Sequence, residues 1–291
     1  MHIVVDQRDG GIITRQGRAA AAPGTGSARA AQPSPEPVVF LPGLLCDQSL
    51  WRRQIDALAD CCAPFVADLT LDDSIAAMAT RTLAAAPPSF SLVALSMGGY
   101  VALEIMRRAP ERVRRLALID TSARADTPER TEERLRGIRS LERGTFLGVS
   151  RPLLRNLVHR SHWEDEVAQS MQAMAGRVGK AAFLRQQRAI MDRPDSREHL
   201  PAIAVPTLIA VGRDDRVTPI EHARELHAAI EGSTLHIVER CGHMAALEEP
   251  DDISRLLRDW LGQGSGTAGS VAVRSDTGSA IAHRTPSGEI A

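Results

Sequence analysis

The 291 residues are 43% hydrophobic and 24% charged, with 35 Lys and Arg against 36 Asp and Glu and a formal net charge of −1. This is the composition of an ordinary globular chain, without the basic excess of a nucleic-acid partner or an electrostatic reason to bind a membrane surface. No apolar run approaches the ~20 residues that span a bilayer.

In chain order, Met1-His2-Ile3-Val4-Val5-Asp6 carries an acid where a signal peptide has basic residues, and it lacks an apolar stretch. A short strand pair around Gly10-Gly11 is the first expected element. Gly17 to Pro37 is Ala, Gly, Ser and Pro with scattered Arg, so segment 1–36 reads as largely flexible. Its Gly24-Thr25-Gly26 has no strand before it and fails as a nucleotide-binding loop. Strands are expected at Val38–Leu41, Phe65–Ala67, Phe90–Leu95, Arg115–Ile119, Thr207–Val211 and Thr234–Val238. Helices are expected at Leu50–Leu58, Asp73–Ala86, Met97–Arg108, Ile220–Ile230 and Asp252–Leu261. Continuous apolar strands joined by helices describe an α/β domain over 37–262, a mostly parallel sheet covered on both faces.

Between Thr121 and Pro206 the alternation stops. Leu135, Ile138 and Leu141, then Leu153, Leu154, Leu157 and Val158, then Val167, Met171 and Met174 recur at helical spacing. An all-helical cap is expected at about 122–200, inserted between two strands. The Gly, Ser and Thr-rich stretch 263–291 reads as a disordered tail. Cys46, Cys61, Cys62 and Cys241 form no C-x-x-C pair and no zinc spacing. Free thiols and the absent leader pattern give the expectation of a cytoplasmic protein.

Three segments carry chemistry. At Ser91-Leu92-Val93-Ala94-Leu95-Ser96-Met97-Gly98-Gly99 a buried strand runs straight into a helix, and a serine between them can be held exposed on a tight turn. The usual pattern is G-x-S-x-G; Ala94 takes the first glycine position and keeps it small. Asp215, just past the strand Thr207–Val211, can orient a histidine from the carboxyl edge of the sheet. Its neighbour Asp214 and the earlier strand-end Asp120 are rival acids, and a loop carboxylate serving the helix near Pro219 is the plainer reading. His243, in Glu239-Arg240-Cys241-Gly242-His243-Met244, follows the last strand. The order Ser96, Asp215, His243 is that of a nucleophile, an acid and a base on such a sheet.

On these residues, on Gly212 to Pro219 (G-x-x-D-x-x-x-P) and on Pro110-Glu111-Arg112-Val113, the stretch Val38 to Leu261 resembles the α/β-hydrolase superfamily. It is similar to the branch of small capped esterases and lactonases that includes pimeloyl-carrier-protein methyl esterases and 3-oxoadipate enol-lactonases. Where that family usually has His-Gly after the first core strand, this chain has Leu41-Pro42-Gly43-Leu44. The resemblance implies catalytic Ser96, Asp215 and His243, an oxyanion hole from the N–H groups of Leu44 and Met97, and hydrolysis without metal or organic cofactor. The expected partner is a small-molecule ester-type substrate, with no nucleic acid and no membrane. A lactonase, thioesterase, C–C bond hydrolase or perhydrolase would use the same groups, and a low-turnover ligand-binding protein is a further alternative. With only 3% aromatic residues, the substrate wall is expected to be aliphatic. Leu44, Leu45, Leu153, Leu154 and Met residues would form it, with Trp51, Phe146 or Trp163 as accents. No cationic residue is assigned to the site, and the oligomeric state stays open.

Overall fold

The structure, a computed structural model, describes residues 34–262. The strand pair around Gly10-Gly11, the Gly24-Thr25-Gly26 segment and the stretch 263–291 lie outside the described residues.

Six strands, β1 (Glu36–Leu41), β2 (Cys62–Val66), β3 (Phe90–Leu95), β4 (Val113–Ile119), β5 (Thr207–Gly212) and β6 (Thr234–Val238), make one sheet. Its order is β2-β1-β3-β4-β5-β6 and every neighbouring pair is parallel. The helices are α1 (Arg52–Ala57), α2 (Ile75–Ala85), α3 (Met97–Arg108), α4 (Pro128–Arg143), α5 (Arg151–Leu157), α6 (Glu166–Met191), α7 (Ile220–Ala229), α8 (Ala245–Glu248) and α9 (Pro250–Gly262). Both β3 and α3 have the bounds the sequence predicts. β2 starts at Cys62 rather than Phe65, because Cys62, Ala63 and Pro64 pair with Glu36, Pro37 and Val38. The exposed Ala63 and Pro64 hide that pairing from a hydrophobicity reading, and a proline is tolerated there because β2 is an edge strand.

Side chains alternate across the strands. Val38, Phe40, Val93, Leu95, Ala117, Ile119, Leu208 and Ala210 enter one core with Trp51 and, from α9, Ile253, Leu257 and Trp260. Val39, Leu41, Leu92, Ala94, Leu116, Leu118, Ile209 and Val211 enter the opposite core with residues of α2, α3 and α7. Burial on both faces is why these strands read as unbroken apolar runs. Among the described residues the connection from β4 to β5 contains no strand; its regular elements are α4, α5, α6 and short 3-10 turns. α6 is bent at Gly179 (φ 75°, ψ 172°). Gln186 of α6, fully buried, accepts from Leu45 N at 3.1 Å and donates to Leu69 O at 3.1 Å, so it pins the insert to the loop after β1. No helix among the described residues is long and apolar enough to cross a membrane.

β1 is the strand where the order reverses, so the loops after β1 and β3 leave the sheet side by side at the switch point. The first turn of α3 lies against the end of β1 with no space to spare. A Cβ on Gly98 would overlap the carbonyl oxygen of Leu41 and come within 2.8 Å of that of Pro42, and one on Gly99 would overlap the Thr121 hydroxyl. Gly98→Ala should therefore cost about 2 kcal/mol through overpacking. Thermal unfolding should register it as a fall in Tm of about 4–8 °C for a domain of this size. The control is Gly176→Ala on an exposed turn of α6, where a Cβ meets nothing within 4 Å; it should stabilise by about 0.5–1 kcal/mol.

Candidate active site

Ser96 stands between the last residue of β3 and the first of α3, at φ 54° and ψ −118°. A non-glycine residue at positive φ is strained by roughly 1–3 kcal/mol and persists only when its surroundings over-determine it. Here they do. Ser96 N donates to Ile119 O at 3.1 Å, Ser96 O accepts from Thr121 Oγ1 at 2.7 Å and from Gly99 N at 2.8 Å, and the glycines let the helix close over the turn.

His243 sits after β6 with its imidazole almost wholly buried. Its Nε2 lies 2.8 Å from Ser96 Oγ and its Nδ1 lies 2.8 Å from Asp215 Oδ2. A carboxylate can only accept, so Nδ1 carries the proton and Nε2 of the neutral ring accepts from the serine hydroxyl. Asp215 is held in turn by Val217 N and Thr218 N on Oδ1 (2.8 and 2.9 Å) and by Thr218 Oγ1 on Oδ2 (2.8 Å). It therefore also serves the turn that leads into α7, as the plainer reading of this carboxylate expects. Asp214 is exposed and contributes its N–H to Cys241 O. Asp120 is fully buried, but its two oxygens accept from Gly212 N and Ala245 N, both at 2.9 Å, rather than from His243.

Burial works against the charged imidazole, yet the adjacent Asp215 outweighs it, aided by Asp120 and Glu248, and the pKa of His243 is raised above its ordinary value. Burial likewise opposes ionisation of Asp215, but His243 and the Thr218 donors hold its pKa below the usual carboxylate value. Asp120 is pushed upward by burial and by the negative charge of Asp215.

Glu248 is a site residue that sequence reasoning missed. Its buried carboxylate accepts from Gly242 N (2.9 Å) and Met244 N (3.0 Å), the two neighbours of His243, and from His159 N (2.8 Å) beyond α5. His243 N also donates to Leu157 O at 2.7 Å. A Cβ on Gly242 would stand 2.8 Å from Leu157 O and His159 N. The histidine loop and the helical insert thus touch backbone to backbone. All three partners of Glu248 are backbone groups, which leave no residue-type signal in the sequence.

Leu44 lines the cavity beside Ser96, and Met97 follows Ser96 as the first residue of α3. Among the described residues neither N–H has an acceptor, and Met97, as the first residue of α3, has no intrahelical one. A cavity of about 430 Å³ opens from Ser96 and His243, a volume in the range of small-molecule sites. Leu44, Leu45, Leu153, Met171 and Met174 line it as expected. Four expectations fail. Leu154 points into the core, Trp51 is sealed against Phe40 with ring centroids 5.4 Å apart, and Phe146 packs on Phe183, which lines the cavity in its place. Trp163 borders a separate surface hollow. Cationic side chains, none of which the sequence assigned, do line the cavity: Arg130, Arg134 and Arg216. All four cysteines are free.

The alpha/beta hydrolase family model matches residues 38–256. The pimeloyl-acyl-carrier-protein methyl ester esterase of Neisseria meningitidis serogroup B is 28% identical over 208 residues, 68% of this chain and 78% of that protein. A 2-hydroxy-6-oxo-2,4-heptadienoate hydrolase of Pseudomonas putida is 33% identical over 181 residues, 58% of this chain and 62% of that protein. Among solved structures, a thermophilic esterase from Thermogutta terrifontis superposes with a TM-score of 0.71 at 26% identity, over 78% of this chain and 89% of that one. An enol-lactonase from Burkholderia xenovorans gives 0.69 at 22% identity, over 78% and 91%, a likeness of fold. With its six-stranded parallel sheet and the family match across that span, the chain belongs to the alpha/beta hydrolase family.

Proposed function

We propose that this protein is a serine hydrolase that cleaves a small carboxylic ester through Ser96, His243 and Asp215. The observation that carries the reading is the unbroken line from Ser96 Oγ through His243 to Asp215, with both hydrogen bonds at 2.8 Å, beside a cavity large enough for a small ester. The esterase names of two relatives support it.

In this mechanism Ser96 Oγ attacks the ester carbonyl carbon while its proton passes to His243 Nε2. The imidazolium so formed is stabilised by Asp215, which stays ionised. The carbonyl oxygen, now negative, is held by the N–H groups of Leu44 and Met97, each such donor contributing about 2.7–4 kcal/mol in related sites. Collapse expels the alcohol with the proton from His243 and leaves an acyl group on Ser96. His243 then deprotonates water, which attacks the acyl carbon, and the proton returns to Ser96 Oγ as the acid departs. No step calls on a metal or an organic cofactor. The helical segment at about 122–200 acts as the cap of the site, and the free thiols fit a cytoplasmic setting. A second reading, hydrolysis of a C–C bond beside a ketone, is favoured by the hydrolase relative at 33% identity and uses the same three residues.

A fluorophosphonate probe should label the wild-type protein on Ser96, and Ser96→Ala should abolish labelling. The same variant should lower p-nitrophenyl ester turnover by about 10⁴-fold or more; labelling that persists in it would overturn the reading. A panel adding a vinylogous diketone separates ester from C–C cleavage.

Because the base must be neutral, kcat/KM should rise with pH along a limb centred above the ordinary histidine value, as the raised His243 pKa requires. Asp215→Asn removes the charge that raises it. The limb should then move to lower pH while kcat falls by about 10⁴-fold. If Asp120→Asn produces that pair of changes and Asp215→Asn does not, the acid has been assigned to the wrong carboxylate.

A further inference from the structure

The helical insert holds a cluster of charge that hydrolysis itself does not use, and one of its members, Arg134, lines the cavity. Asp126 has a fully buried side chain and lies against two guanidinium groups. Arg134 Nε is 2.6 Å from Oδ2, and Arg193 Nη1 is 2.8 Å from Oδ1. Burial opposes the charge on Asp126, but the two arginines keep its pKa below the usual value. One carboxylate between two guanidinium groups leaves a surplus of one positive charge in the cluster, of which Arg134 reaches the lining of the mostly apolar cavity.

The two arginines are not equivalent. Arg193 is buried, with Nε on Arg124 O (2.9 Å), Nη1 on Ile190 O (2.7 Å) and its guanidinium 4.2 Å from the centre of the Tyr100 ring. Arg134 lines the cavity with its side chain 17% exposed, and Gln187 Oε1 accepts from its Nη1 at 2.9 Å. Its Nη2 has no acceptor among the described residues. The fork is therefore held at Nε by Asp126 and at Nη1 by Gln187, which leaves Nη2 as its free donor nitrogen. A guanidinium fixed in this way keeps Nη2 in place as a charge-assisted donor to an anionic oxygen. Arg130, whose Nη2 donates to Val217 O at 3.0 Å, and the exposed Arg216 also line the cavity. Neither has a carboxylate within ion-pair distance among the described residues, and the one acid in the lining, Glu133, is exposed to solvent.

We propose that Arg134 is the specificity-determining residue of this site and that it selects an ester bearing a second, ionised carboxylate. The inference rests on the hydrolase reading above for the scissile bond, but the anion site is a property of the cavity wall. The Leu, Ile, Met and Phe side chains of the lining cover the carbon chain between ester and carboxylate, and the surplus charge of the Arg134–Asp126–Arg193 cluster offsets the cost of taking that carboxylate out of water.

Two arms of one experiment distinguish where the carboxylate sits. Half-methyl esters of adipic and suberic acid place it on the acyl side, and acetyl esters of ω-hydroxy acids place it on the alcohol side; each is compared with the uncharged ester of equal length. The wild-type protein should prefer one charged series by about 10- to 100-fold in kcat/KM, the worth of a charge-assisted hydrogen bond. Arg134→Met should collapse that ratio to near one, and Arg134→Lys should restore part of it. The ratio is read within each variant, so a general loss of activity does not mimic the result. Calorimetric titration of Ser96→Ala with the same esters reads the preference without turnover. If the charged ester binds more tightly there while no ester is hydrolysed by the wild type, the hydrolase reading fails and the anion site stands. Equal use and equal binding of charged and neutral esters, or a preference that survives Arg134→Met, would overturn the proposal.

Discussion

The site depends first on a steric constraint, the contact between the opening turn of α3 and the end of β1. No side chain fits at Gly98, where a Cβ would overlap Leu41 O, or at Gly99, where it would overlap Thr121. Because those two positions are bare, α3 can start one residue after β3 ends, and the turn between them forces Ser96 to positive φ. The same contact draws the loop carrying Leu44 alongside the N-terminus of α3. A strained serine and two unengaged backbone donors are thus three consequences of one close approach.

Around the imidazole the structure gathers three buried carboxylates and gives each a different task. Asp215 meets the ring directly. Asp120 joins the end of β5 to the start of α8 by accepting from Gly212 and Ala245, and Glu248 brackets His243 by accepting from Gly242 and Met244. A buried carboxylate is tolerable only where donors converge on it, so each also marks a place where backbone segments are fastened together. The negative charge they concentrate raises the pKa of His243 against the effect of burial. That electrostatic bias and the fastening of the histidine loop have the same origin.

The helical insert is likewise fastened to the loops that carry His243 and Leu44. His243 N bonds to Leu157 O, Glu248 reaches His159 N, and Gln186 holds Leu45 N. The cavity wall is therefore anchored both to the loop of the proposed base and to the loop of a proposed oxyanion donor. A substitution in α5 or α6 has a short route to both, through backbone hydrogen bonds rather than through the substrate.

Read alone, the chain determined most of the elements and offered an order of candidate nucleophile, acid and base. Apolar strands buried on both faces announce themselves as unbroken runs, and a serine between such a strand and a helix, with an acid and a histidine after later strands, declares its order. Those signals are local: each depends on residue type at short spacing. The choice between Asp120, Asp214 and Asp215 was weighed from spacing, but the pairing with His243 was decided in three dimensions, by which carboxylate the loops after β5 and β6 bring within 2.8 Å of Nδ1. Glu248 stayed hidden because its partners are backbone N–H groups, which every residue but proline carries. The cavity wall stayed hidden for another reason. Trp51 or Phe183, and Arg130 and Arg134 or any other of the insert's arginines, are interchangeable in a sequence pattern, and only tertiary packing decides which of them line the cavity. Ser96, Asp215 and His243 are written in the chain, whereas the shape and charge of what faces them come from tertiary contacts between residues far apart in it.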